Sequence, residues 1–129
     1  MATTTANRFA LDTATLSGVH WLAMALAAIT GVIHLVLGVS FAPEPLGISF
    51  LLAGIGFFAG IALVLVDYRR MLVYVAGVAF TAVQVPLWYW LNYVGTGQTL
   101  AEVGTIEVVD KVAQLVLIVL LFVLISREE

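Results

Sequence analysis

The sequence predicts an all-α integral membrane protein, an antiparallel four-helix bundle with both termini in the cytoplasm. Three observations carry that expectation. The 129 residues are 63% hydrophobic and only 10% charged, where a soluble domain carries about a quarter charged residues. Four apolar runs each approach or exceed the roughly 20 residues that cross ~30 Å of hydrocarbon. Turn-forming or charged residues separate the runs: Pro43 and Pro45, then Asp67, Arg69 and Arg70, then Gly95 to Gln98. The length suits one transmembrane domain, residues 1–129. Cysteine is absent, which excludes disulfides, thiolate metal sites and cysteine nucleophiles. The net charge of −3 is too small to argue for a charged partner, and nothing points to nucleic acid.

Residues 1–17 are polar and threonine-rich, with Arg8 and Asp12. They are expected outside the hydrocarbon, with a short interfacial helix around residues 8–16 that dips Phe9 and Leu11 into the headgroups. A cleaved signal peptide is the rival reading, but the next apolar run is too long for an h-region. Helix 1 is expected at about 19–41. Pro43 and Pro45 then force a turn, because proline cannot continue a helix and holds its predecessor extended. Helix 2 is expected at about 47–66 and stops at Asp67, Arg69 and Arg70. Helix 3 is expected at about 71–93, with Pro86 inside it freeing the carbonyl of Ala82. Gly95 to Gln98 open the longest loop, and helix 4 follows at about 106–125.

Four spans place both termini on one side, with Arg8, Arg69, Arg70 and Arg127; the other side carries only Lys111. Positive residues stay inside, so the termini and the 67–70 turn are expected in the cytoplasm. Trp88, Tyr89, Trp90 and Tyr93 then form an outer aromatic belt, with Trp21 and Tyr68 towards the inner one. Asp67, Arg69 and Arg70 read as a solvated cap, the arginines near lipid phosphates.

Small residues suggest how the helices dock. Ser49, Ala53, Gly56 and Gly60 lie on one face of helix 2. Helix 1 carries a seam of His20, Met24, Ala27, Gly31, His34 and Gly38, whose small members Ala27, Gly31 and Gly38 are expected to pack on that face, since close packing holds helices together in lipid.

Polar residues are sparse. His34, Gln84 and Gln114 fall at similar depth on three helices, within roughly 10–15 Å of the outer surface at 1.5 Å per residue. Trp88 shares the face of Gln84, and Glu107 and Asp110 share that of Gln114. Polar groups in hydrocarbon turn inward to find each other. Two accounts follow. In one, interhelical hydrogen bonds fix the bundle. In the other, His34, Gln84, Trp88, Asp110 and Gln114 line a site open to the outer face, with His34 as proton acceptor or ligand and Asp110 or Glu107 at its mouth. Asp110 and Lys111 are adjacent, point about 100° apart on a helix, and are not expected to form one clean pair. Glu107 and Asp110 at a helix start also suit the helix dipole. No phosphate loop, zinc spacing, nucleophile elbow or dedicated catalytic carboxylate pair is present, so the chain is not expected to be an enzyme. His20 and His34 share a face roughly 21 Å apart, like paired haem ligands on one helix, but each haem would need a second histidine from a dimer.

The segments FLLAGIGFFAGIALVLVDYRR, FTAVQVPLWYWLN and VVDKVAQLVLIVLL resemble parts of small four-span membrane proteins of haloarchaea that have no assigned function. The likeness covers most of residues 30–125 and implies an archaeal, salt-adapted cell membrane. A fainter similarity links the chain to DoxX-like four-helix proteins, some of which accompany quinone-linked oxidoreductases. The leading expectation is a structural or accessory membrane subunit, forming a homo-oligomer or joining another membrane protein, with no resident metal or cofactor. The alternatives are a binding protein for a lipid, quinone or haem in the outer half, and a small channel or transporter.

Overall fold

The computed structural model describes residues 13–95, 97 and 104–128, and all regular structure among them is helical. Four helices follow one another: α1 Gly18–Phe41, α2 Pro45–Leu65, α3 Arg70–Tyr93 and α4 Thr105–Glu128. Each is long and apolar enough to cross a bilayer. The exposed faces are themselves apolar, with Val39, Leu52, Val119 and Trp90 among the residues turned outward, as a lipid-facing surface requires.

Local chemistry sets the ends. Ser17 caps α1 by donating its backbone N–H to His20 Nδ1 at 3.0 Å. Residues 13–16 form a turn closed by Leu16 N–H to the Thr13 carbonyl, not the end of an interfacial helix; the rest of that expected helix lies outside the described residues. α2 starts two residues earlier than its apolar run suggests, because Pro45 sits at the first helical position, where its missing N–H costs nothing. α2 ends in a Schellman motif. Tyr68 N–H reaches the Leu63 carbonyl at 2.9 Å and Asp67 N–H the Val64 carbonyl at 3.1 Å, with Asp67 at φ +53° where glycine is usual. Beyond α3, Gly95 and Gly97 take φ of +73° and +80°, a conformation that glycine alone adopts freely.

Cross-helix pairs fix the register. Gly38 meets Gly47 and Gly31 meets Gly54 across α1 and α2. Thr30 meets Gln114, and Ser17 meets Arg127, across α1 and α4. Gln84 meets Gln114, and Trp88 meets Glu107, across α3 and α4. All three seams are antiparallel, and the helices run in the order α2, α1, α4, α3. The fourth seam, α2 against α3, is only sparsely packed.

The docking of α1 on α2 differs from expectation. Gly31 and Gly38 do face α2, but they meet Gly54 and Gly47, not the stripe of Ser49, Ala53, Gly56 and Gly60. A Cβ on Gly54 would lie 2.9 Å from the Gly31 carbonyl oxygen, and one on Gly38 would lie 2.9 Å from the Gly47 carbonyl oxygen. Each helix thus offers two glycines seven residues apart, and the backbones close on those two points. The other stripe has turned away. Ser49 is exposed and donates to the Leu46 carbonyl, Gly56 faces Phe80, and Gly60 faces Val73 of α3.

Two interiors result. At the base, the end with Ser17, the α2–α3 turn and Arg127, an apolar core joins Met24, Phe57, Val64, Tyr74, Leu117, Leu121 and Leu124. Towards the opposite end the interior is polar.

Candidate functional site

The polar interior is a closed ring of side chains from α1 and α4. Gln114 Nε2 donates to Thr30 Oγ1 at 3.3 Å, and the Thr30 hydroxyl donates to Asp110 Oδ1. Asp110 Oδ2 pairs with Lys111 Nζ at 3.0 Å. Lys111 closes the ring by donating to Gln114 Oε1 at 2.9 Å. Thr30 and Gln114 are 0% exposed. α3 joins through Gln84, whose Oε1 accepts from Gln114 Nε2 at 2.7 Å and whose Nε2 donates to its own Phe80 carbonyl. Gln114 therefore uses both donors and its acceptor, one bond to each of α1 and α3 and one within α4.

The sequence supplies this convergence by periodicity. Thr30 and His34 are four apart, as are Asp110 and Gln114, so each pair shares a helix face. His34 sits beside the ring. Its Nδ1 lies 2.8 Å from the Thr30 carbonyl, which accepts only, so Nδ1 carries the hydrogen. Asp110 Oδ1 is 3.8 Å away. The ring of His34 packs against Phe50 and Phe57 of α2, with centroids 5.5 and 5.7 Å apart, so the fourth helix is reached by aromatic contact. Above, Trp88 Nε1 donates to Glu107 Oε1 at 2.8 Å, and Lys111 Nζ lies 5.4 Å from the Trp88 ring centre.

The structure thus gathers His34, Gln84, Trp88, Asp110 and Gln114 in one place, and corrects three details. Asp110 is buried within the network, not at its mouth; Glu107, half-buried at the helix start, is the outer carboxylate. Asp110 and Lys111 do pair, because the flexible four-carbon stem of lysine lets its ammonium fold back across the 100° that separates the two positions. Thr30 was overlooked by sequence reasoning, although its position four residues before His34 puts it on the same seam.

His20 has a different setting. Its Nδ1 is 2.9 Å from Ser17 Oγ as well as bonded to the cap N–H, and its ring lies 6.2 Å from that of Tyr74. Tyr93, expected in the aromatic belt, is buried against Trp88 and Tyr89. Arg70 is no solvated cap residue: it is 7% exposed. Its guanidinium donates to the Val64 carbonyl at 2.9 Å and to Thr15 Oγ1 at 2.6 Å, and faces Asp67 at 3.3 Å. It ties the N-terminal segment to the α2–α3 turn. Among the described residues, no group of three His, Cys, Asp or Glu side chains is placed to hold a metal ion.

No curated protein and no solved structure matches the chain. One family's model covers residues 4–125, and it attaches neither the haloarchaeal nor the DoxX-like label. On that match the chain belongs to DUF7475, a family of unknown function.

Proposed function

We propose that the protein is a non-enzymatic membrane protein acting as a structural or accessory subunit, self-associating or attached to a larger membrane complex. The observation that carries this reading is the closed polar ring. Its donors and acceptors are committed to one another and to holding α1, α3 and α4, and fully satisfied buried networks rigidify a unique packing. An acidic group joined on both oxygens, to Thr30 and to Lys111, is occupied with architecture. The connections α1–α2 and α2–α3 are a few residues each, so a partner is met chiefly within the bilayer. Both termini are assigned to the cytoplasm. Arg8, Arg69, Arg70 and Arg127 support that side, and Lys111 weighs little against them because its charge is matched by Asp110.

The test is in-membrane cross-linking followed by native mass measurement of gently purified protein, with its absorption spectrum. A defined homo-oligomer, or a fixed ratio to one other membrane protein, in a colourless preparation is expected. A monomer carrying a stoichiometric chromophore that is lost in His34→Ala would refute the reading.

A further inference from the structure

The sparsely packed α2–α3 seam leaves a lateral cleft of ≈ 410 Å³ in the base half of the bundle. Gly56 and Gly60 of α2 and Gly77 of α3 form its low walls, and Leu117 and Leu121 of α4 lie on its floor. The cleft is real space: a Cβ on Gly60 would meet nothing nearer than Val73 Cγ1 at 3.9 Å. Thr81 lines it midway along the 24-residue α3.

Thr81 is 1% exposed, and its hydroxyl meets no hydrogen-bond partner among the described residues. A threonine within a helix has a ready acceptor in the carbonyl four residues earlier, here that of Gly77, and Thr81 does not use it. A buried hydroxyl left unbonded suffers its full desolvation penalty with nothing in return. Thr81 lines the cleft, and a hydroxyl hydrogen turns freely about its C–O bond, so a small rotation of the side chain offers that hydrogen to a group in the cleft.

We propose that this cleft binds a neutral, lipid-soluble carbonyl compound. Its oxygen accepts the Thr81 hydrogen and its apolar body lies between α2 and α3. The group must be an acceptor, because the hydroxyl has a hydrogen to give. It must be neutral, because a charge at mid-span depth is costly without a partner. It must be long, because the cleft extends from Arg69 to Thr81, about 18 Å along α3 at 1.5 Å per residue. A bare hydrocarbon chain fills the space but leaves the hydroxyl unbonded. The cleft lies on the base side of the polar ring and adjoins it at Phe57 and Phe80, and the proposal does not rest on the structural reading above.

The experiment uses full-length protein in lipid nanodiscs and three diazirine-tagged probes of equal chain length: an alkyl benzoquinone, a linear ketone and an alkane. Labelled peptides are located by mass spectrometry. Crosslinks from one or both carbonyl probes are expected between residues 56 and 81, and the two probes tell a quinone ring from a simple ketone. Thr81→Val should weaken that labelling roughly two- to tenfold, the worth of one hydrogen bond, and Thr81→Ser should retain it. Gly60→Leu, which fills the cleft, should abolish it. Equal labelling by the alkane, untouched by Thr81→Val, would mean that bilayer chains fill the cleft and would overturn the proposal. So would an absence of cleft labelling by every probe.

Discussion

Substituting Gly54 with alanine places a methyl group 2.7 Å from Leu35 Cδ2 and Cγ and 2.9 Å from the Gly31 carbonyl oxygen. The leucine tip can rotate away, but the carbonyl belongs to the α1 backbone and cannot. α1 and α2 must therefore separate at their closest approach. Overpacking of this kind costs about 1–3 kcal/mol. Alanine also gains up to about 1 kcal/mol over glycine in helix propensity, which would blur the measurement. Gly60→Ala removes that ambiguity. It lies on the same helix, and its new methyl meets only Val73 Cγ1 at 3.9 Å, an ordinary contact. The propensity gain is common to both variants and cancels in their difference. The assay is equilibrium unfolding in mixed micelles with increasing sodium dodecyl sulfate, followed by helicity. Gly54→Ala should unfold more readily than Gly60→Ala by about 1–3 kcal/mol, roughly 5- to 150-fold in the unfolding equilibrium. Equal stability would refute the glycine contact and with it the register of α1 on α2.

The polar network makes further predictions. Asp110→Asn leaves Lys111 in the interior without its counter-charge and should lose about 3–5 kcal/mol, whereas Asp110→Asn with Lys111→Met should recover much of it; a double-mutant cycle in the same unfolding assay measures the coupling, and additive losses would count against the pair. Trp88→Phe removes the bond to Glu107 and should destabilise by about 0.5–3 kcal/mol, the upper end reflecting the charged acceptor, while Trp88→Phe with Glu107→Gln should show non-additivity. Arg70→Lys cannot span the Val64 carbonyl, Thr15 and Asp67 together. It should speed amide hydrogen exchange in the 67–70 turn, and unchanged protection there would sink the proposed tie.

The four helices were legible because the features that make and end a lipid-soluble helix are local. Pro45, Gly95 and the Asp67–Arg70 charges mark boundaries wherever they occur. Which faces meet was less legible. The stripe Ser49, Ala53, Gly56, Gly60 and the pair Gly47, Gly54 are both small, and periodicity alone cannot rank them. The matching seven-residue spacing of Gly31 with Gly38 held the missing information, since two antiparallel backbones can touch twice only where both spacings agree. The depth of His34, Gln84 and Gln114 followed from counting along helices. The Asp110–Lys111 pair did not, because the geometry of a helix fixes Cβ directions and says nothing about where a long flexible stem ends. Arg70 looked like a surface charge for a similar reason: the acceptor at Val64 is a carbonyl exposed by the helix end, invisible as a residue type.

The neighbouring Asp110 and Lys111 bear on how α4 enters the membrane. Separately, an aspartate and a lysine each add up to about 2.5–3.5 kcal/mol to the cost of inserting a helix, the full figure applying at its centre and less towards an end, where Asp110 and Lys111 lie. Joined at 3.0 Å within one helix, they travel as a single dipolar unit that needs no other span for neutralisation. The pair thereby lowers the cost of placing α4 in lipid and leaves it a hydrogen-bonding group to offer its neighbours. Thr30 of α1 and Gln84 of α3 then recognise it laterally. α4 thus carries within itself the group by which it docks on α1 and α3.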